Sequence, residues 1–237
     1  HENTNDCVRL AIHGARGRMG QRIVALANNH DRCRVIFEFD RQDAPQVRPG
    51  EVDVVVDFSS VEGAVAAMEL ARSAGAALLV GTTGLPPATR EAIEREGAHR
   101  AVMIAPNTSL GVAVARRLVR EAARLLEGFD VDIAETHHTR KLDAPSGTAK
   151  FLAEAVERGS GRALPAERVH SLRAGDVVGD HVVTFCGPGE RLEIGHFATS
   201  RDLFALGALR MAAWLARQPA GVHTPDAWFE HHMKERA

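Results

Sequence analysis

The sequence predicts an α/β protein in which a doubly wound parallel sheet precedes an α+β unit with a mostly antiparallel or mixed sheet. Three observations carry that reading. Short apolar runs alternate with helical segments through the first hundred residues, and a glycine triplet stands at the first strand-to-helix turn. After Pro106-Asn107 the rhythm gives way to strand-like stretches of alternating pattern separated by turn residues.

The elements follow in order. Val8 to Ile12 reads as a strand, Gly14, Gly17 and Gly20 as the turn, and Met19 to Ala27 as a helix with Ile23, Val24 and Leu26 on one side. Apolar runs at Arg34 to Phe39, Val52 to Val56, Ala77 to Val80 and Val102 to Ile104 supply further strands, with helices at Glu62 to Ser73 and Ala88 to Glu96 between them. An amphipathic helix from about Ser109 to Glu127 then leads into a strand, Phe129 to Thr136. Pro145-Ser146-Gly147-Thr148 opens a helix to about Arg158, and strands follow at Val169 to Arg173, His181 to Phe185 and Arg191 to Phe197. Asp202 to Arg217 reads as a last helix.

Composition narrows the function. With 237 residues, 45% of them apolar and 25% charged, the chain is long enough to bury real cores without disulfide or metal staples. Its 29 Lys and Arg are balanced by 31 Asp and Glu, which excludes a general nucleic-acid binder. Cys7, Cys33 and Cys186 are far apart and lack metal-ligand spacing, so a reduced, cytoplasmic protein is expected, with Cys186 buried in an apolar strand. Apolar runs such as Ala76 to Val80 fall far short of the roughly 18 residues of a membrane span, and no basic-then-apolar leader pattern opens the chain.

In Gly14-Ala15-Arg16-Gly17-Arg18-Met19-Gly20 the first glycine permits a tight turn, the second lets backbone approach a phosphate, and the third allows close helix–strand packing. The helix start then aims amides at an anion. About twenty residues on, Asp40 ends the second strand, where a carboxylate can hold a ribose hydroxyl. Arg41 beside it suits the 2′-phosphate of NADP, so either NADH or NADPH is expected. Asp57-Phe58-Ser59 and Gly81-Thr82-Thr83-Gly84 each follow a strand and share the carboxyl edge where ligands bind. The chain has no tyrosine, which excludes dinucleotide chemistry of the Tyr-Lys type.

The densest polar segment runs from Glu135 to Ala149. His137, His138 and Lys141 stand within a few residues of a helix start capped by Ser146, a combination suited to an anionic substrate that needs a proton donor. Adjacent histidines on an extended segment point to opposite sides, so one of the pair faces a given reacting atom. Metal-ligand spacing is absent, and no metal is expected.

These residues, together with Ala105-Pro106-Asn107, Arg173-Ala174-Gly175-Asp176, and Gly189-Glu190-Arg191 leading to His196 and Ser200-Arg201, closely resemble the 4-hydroxy-tetrahydrodipicolinate (dihydrodipicolinate) reductase family over nearly the whole chain. The resemblance implies NAD(P)H-dependent reduction of a cyclic imine dicarboxylate in diaminopimelate and lysine biosynthesis. It implies a Rossmann-like dinucleotide-binding domain (1–107), a substrate-binding and oligomerisation domain (108–203), and a C-terminal helix returning to the first domain (204–237). Homotetramers are implied as well, with no nucleic-acid or membrane partner.

By position, His137 matches the family's general acid, Lys141 the residue that stabilises the substrate, and His138 a substrate contact, while Ser146, Gly147 and Thr148 fall at the carboxylate loop. Gly14, Arg16, Gly17, Arg18, Met19, Asp40, Arg41, Phe58, Gly81, Thr83, Ala105, Asn107 and Thr108 fall at or beside cofactor contacts. Thr108 stands where the family commonly has an aromatic, and the stretch from Arg41 to Glu51 is shorter than in many relatives. Two alternatives stay open: a related dehydrogenase acting on another carboxylated imine or amino acid, and a non-catalytic dinucleotide sensor.

Overall fold

The computed structural model describes residues 7–40, 42, 43 and 46–235. They form two compact units, one made of the residues up to Thr108 together with those from Asp202 onward, the other of Ser109–Arg201.

In the first unit β1 (Val8–His13), β2 (Cys33–Phe39), β3 (Val54–Asp57), β4 (Ala77–Val80), β5 (Ala101–Ile104) and β10 (Gly221–His223) form a six-stranded sheet. Every pairing is parallel, and the order is β10-β5-β4-β3-β1-β2. β3, β4 and β5 are buried along their whole length, as strands covered on both faces must be, which explains why they read as unbroken apolar runs rather than alternation. The chain moves outward from β1 to β2 and then returns to the far side of β1 as β3, so the strand order reverses between β1 and β3.

α2 (Val61–Ala74) and α3 (Pro87–Arg95) pack with Ala11, Val55, Leu78, Val80 and Val102 in one apolar core. α2 is held at both ends: the Ser60 hydroxyl accepts from the Gly63 N–H, and Gly75 closes the helix at φ 67°. α1 (Arg18–Ala27) packs against α6 (Asp202–Leu215), which also reaches β2, β3, β4 and β5. Gly207 is where α6 meets the strand-to-helix connection, since a Cβ there would lie 1.6 Å from the Thr108 carbonyl oxygen. Buried Cys33 lies in this contact too, its Sγ 3.4 Å from the Leu209 carbonyl oxygen, and burial pushes its thiol up to about 12, so it is inert. Two elements were not anticipated: β10, whose three residues are too few to show a period, and α7 (Pro225–Lys234), capped by Thr224.

The second unit carries α4 (Leu110–Leu125), β6 (Asp130–His137), α5 (Gly147–Ser160), β7 (Val169–Arg173), β8 (Gly179–Gly187) and β9 (Glu190–Ala198). Its sheet has the order β7-β6-β8-β9, with β7 parallel to β6 and the other pairings antiparallel. α4 and α5 pack on one face around Val119, Ile133, Leu152, Val156, Val183 and Phe185. Along β8 the inward positions are His181, Val183 and Phe185, which puts Cys186 on the other face. Cys186 is therefore exposed, correcting the expectation that it is buried; an apolar run does not reveal its phase. The outer face carries the row Leu172, Thr136, Asp180, Phe197, with Leu172 and Phe197 more than half exposed.

Candidate active site

The expected dinucleotide residues converge on the carboxyl ends of the parallel strands. Gly14 follows β1, Asp40 follows β2, Phe58 follows β3, Gly81 and Thr83 follow β4, and Ala105 and Asn107 follow β5. The glycine turn is as tight as the triplet predicts. A Cβ on Gly14 (φ +80°) would lie 2.7 Å from the Phe58 carbonyl oxygen, and one on Gly20 would lie 2.1 Å from that of Gly14. Gly17 is the N-cap of α1 and places no side chain over it, so the first amides of the helix have no side-chain cap and stand beside exposed Arg16 and Arg18 and half-buried Met19. That bare helix start fits a dinucleotide's phosphates. The Asp40 carboxylate accepts from the Arg16 N–H at 3.0 Å, bracing the turn from β2. Arg41 lies outside the described residues.

A hydrogen-bonded cluster that sequence reasoning did not anticipate ties these loops together. Asp57, fully buried, accepts from the hydroxyls of Ser59 and Thr82 and lies 2.9 Å from Nδ1 of His13. The Ser59 N–H donates to the Thr82 hydroxyl at 3.0 Å. One carboxylate thus joins the ends of β1, β3 and β4, and its burial is tolerated because its oxygens are occupied. Thr108 is 1% exposed and donates to the Phe204 carbonyl at 2.6 Å, so its side chain anchors α6.

The second unit gathers the polar segment at the end of β6. Ile133, Glu135 and His137 occupy its buried positions, which brings a carboxylate and an imidazole inward next to α5. Nδ1 of His137 bonds to Oε2 of Glu135. Glu135 accepts further from the Ser146 N–H at 3.3 Å and from Nη1 of Arg173 at 3.1 and 3.2 Å. Ser146 caps α5 by accepting from the Ala149 N–H at 3.1 Å, and its hydroxyl lies 3.0 Å from Nε2 of His181. With its hydroxyl so engaged and 1% exposed, Ser146 fixes the start of α5 rather than reaching out from it. Gly147, with nothing within 4 Å of an added Cβ, and half-buried Thr148 are the first residues of that helix. Lys141 extends from the loop after β6 with Nζ 2.7 Å from Asp143, and His138 is half-buried one residue past the strand.

Burial holds the His137 imidazolium below the usual histidine range; Glu135 opposes the shift, while Lys141 and Arg173 reinforce it. Burial works on Glu135 in the other direction, yet hydrogen bonds from Ser171, His137 and Arg173 prevail and keep its carboxyl below the usual carboxylate range. Donor atoms of Glu135, His137 and His181 lie within 4.8 Å of one another, while the Arg173 guanidinium bonded to Glu135 works against a cation there. A cavity of about 800 Å³ lined by Arg32, Arg210, Trp214, Trp228 and His231 contains none of these residues.

Arg173 and His181 were the residues the sequence reading missed as partners of the site. His181 faces Glu135 across the β6–β8 pairing, and Arg173 faces His137 across β6–β7, so only register brings them there. Burial first, and then the charge of His137, pushes His181 down to about 4. Between that value and the ordinary histidine range near 6.5 the unfolded chain alone binds the proton, so stability falls as pH drops through this window, by about 3 kcal/mol in total. Urea unfolding of wild type and His181→Gln at pH 7 and pH 4.5 should show the variant losing less on acidification. Equal losses would assign the acid sensitivity elsewhere.

Comparison with known proteins bears on both units. The family model described as "Dihydrodipicolinate reductase, N-terminus" matches residues 8–108, and that described as "Dihydrodipicolinate reductase, C-terminus" matches residues 111–227. The chain is 44% identical over 235 residues to the 4-hydroxy-tetrahydrodipicolinate reductase of Stenotrophomonas maltophilia (strain R551-3), covering 92% of this chain and 97% of that protein. It is 40% identical over 256 residues to the protein of that name from Anaeromyxobacter dehalogenans (strain 2CP-1 / ATCC BAA-258), covering 91% and 95%. Among solved structures, a dipicolinate-bound dihydrodipicolinate reductase from Paenisporosarcina sp. TG-14 superposes with TM-score 0.73 at 22% identity, covering 92% of this chain and 97% of that one.

Proposed function

Since the chain belongs to the dihydrodipicolinate reductase family, and is thereby an NAD(P)H-dependent oxidoreductase that reduces 4-hydroxy-tetrahydrodipicolinate in diaminopimelate and lysine biosynthesis, we propose how its residues share that work. Reduced nicotinamide supplies a hydride to the substrate's conjugated imine system. The electron density left on the substrate needs a proton, and His137 gives it from Nε2. Lys141 holds one substrate carboxylate as a point charge, and the amides opening α5 at Gly147 and Thr148 hold the other, with His138 beside them. On the dinucleotide, the amides of the α1 start with Arg16 and Arg18 take the phosphates, and Asp40 takes the ribose. The observation that carries this reading is the buried Glu135–His137 pair at the end of β6, in one segment with Lys141 and the capped start of α5.

A dicarboxylate ligand also accords with the dipicolinate in the Paenisporosarcina structure. The row Leu172, Thr136, Asp180, Phe197 supports assembly through the second unit's sheet, and we place a homotetramer there. Free cysteines and near-balanced charge support a cytoplasmic enzyme without a nucleic-acid partner. Among the described residues no helix is long and apolar enough to cross a membrane. The deciding assay follows the reduced-nicotinamide absorbance while the purified protein consumes the condensation product of aspartate semialdehyde and pyruvate. Absence of consumption with both NADH and NADPH would overturn the reading.

A further inference from the structure

The chemistry assigned to His137 leaves its neighbours, buried Glu135 and half-buried Arg173, without a task. We infer that Glu135, braced by Arg173, is a positioning residue for the reduction: it fixes the His137 ring so that Nε2 is the nitrogen that carries and delivers the proton. This rests on His137 being the proton donor.

Glu135 is an ionised carboxylate with no donor of its own, so the bond between them requires the proton on Nδ1 of His137. Nε2 is then the bare nitrogen of the neutral ring and the proton-bearing nitrogen of the charged one. Gly179 lies beside it, and any side chain there would crowd it, since a Cβ would lie 2.9 Å from Nε2. The guanidinium of Arg173 makes the arrangement rigid. Its Nη1 donates to both oxygens of Glu135, its Nε to the Lys141 carbonyl at 3.2 Å, and its Nη2 to the Asp143 carbonyl at 2.5 Å. One planar group therefore ties the strand bearing the acid to the loop bearing the substrate's lysine, a geometry that lysine could not reproduce.

Four charged or titratable groups face His137: Glu135 on its own strand, Arg173 at the end of β7, Lys141 on the following loop, and His181 on β8 with ring centroids 5.0 Å apart. Arg173 and Lys141 disfavour an imidazolium, and His181 stays neutral above about pH 4. Glu135 alone among them favours it, so its charge offsets part of the loss that burial imposes on the imidazolium.

The test is Glu135→Gln in the full-length enzyme, an amide of the same size without the charge. Turnover should fall on the order of a hundredfold, and the pH above which kcat declines should move down by about one unit or more, with KM for the reduced dinucleotide unchanged. Glu135→Asp, which keeps the charge, should hold the wild-type pH limb even where its turnover is lower. A fall of the same factor at every pH, or wild-type turnover in Glu135→Gln, overturns the inference. Ring-nitrogen NMR on the wild-type protein tests it without any variant: Nδ1 of His137 should be protonated in the neutral ring, and protonation at Nε2 instead overturns it. If His137→Ala keeps wild-type turnover, the assignment of the donor itself fails, a result distinguishable from every one above.

Discussion

His137→Ala should lower turnover by roughly a hundredfold or more, the usual scale for losing a general acid, while binding of reduced dinucleotide changes little. The two effects separate because His137 ends β6 in one compact unit, whereas the glycine turn belongs to the other. The pH dependence sharpens the expectation. The donor is the charged ring, and burial has lowered its affinity for the proton, so wild-type kcat should decline as pH rises, with the decline set on the acid side of the ordinary histidine range. The activity left in the alanine variant should lack that decline. Single-turnover and steady-state rates on both sides of the ordinary histidine range give both quantities, and a variant with near wild-type turnover and an intact limb removes His137 from the role.

Lys141→Ala should weaken a planar 2,6-dicarboxylate such as pyridine-2,6-dicarboxylate by at least tenfold, more than Thr148→Ala does. The amides of a helix start survive a side-chain change, and the ammonium does not. Its ion pair adds to the loss. Lys141 sits 2.7 Å from Asp143, so removing the cation also leaves a carboxylate uncompensated next to an incoming dianion. Affinity should fall as salt rises in the wild type, and less steeply in the variant. Competitive inhibition measured at two ionic strengths decides the matter. Equal inhibition of both proteins, or inhibition that does not compete with substrate, would put the anion site elsewhere.

How far the sequence could be read depended on the range of the signal. The alternation of apolar runs and helices was local, and so was the spacing from Gly14 to Gly20; the parallel sheet and its tight first turn followed from them. The β6 segment was legible as chemistry because its histidines, lysine and helix cap are neighbours in the chain. Arg173 and His181 were not, because strand register brings them to His137 and Glu135, and register is a property of the assembled sheet. A hint was present all the same. Glu135 and His137 share the parity of buried Ile133, and polar residues on the covered face of a strand need partners from the elements around them. Asp57 ends an apolar strand in the same way, with partners at His13 and Thr82 that no local pattern announces.

The first unit is written in two pieces, and that arrangement matters while the chain is being made. α6 lies against α1 and β2 to β5, and β10 completes the sheet beside β5, yet both belong to the part of the chain from Asp202 onward. All of Ser109–Arg201 must leave the ribosome first. At the usual pace of translation that interval lasts roughly 5–20 s, during which the nascent strands hold out the surface that Leu209, Met211 and Leu215 will later cover. Slow emergence of the last stretch, or premature termination within it, therefore yields not a working dinucleotide fragment but a sticky intermediate.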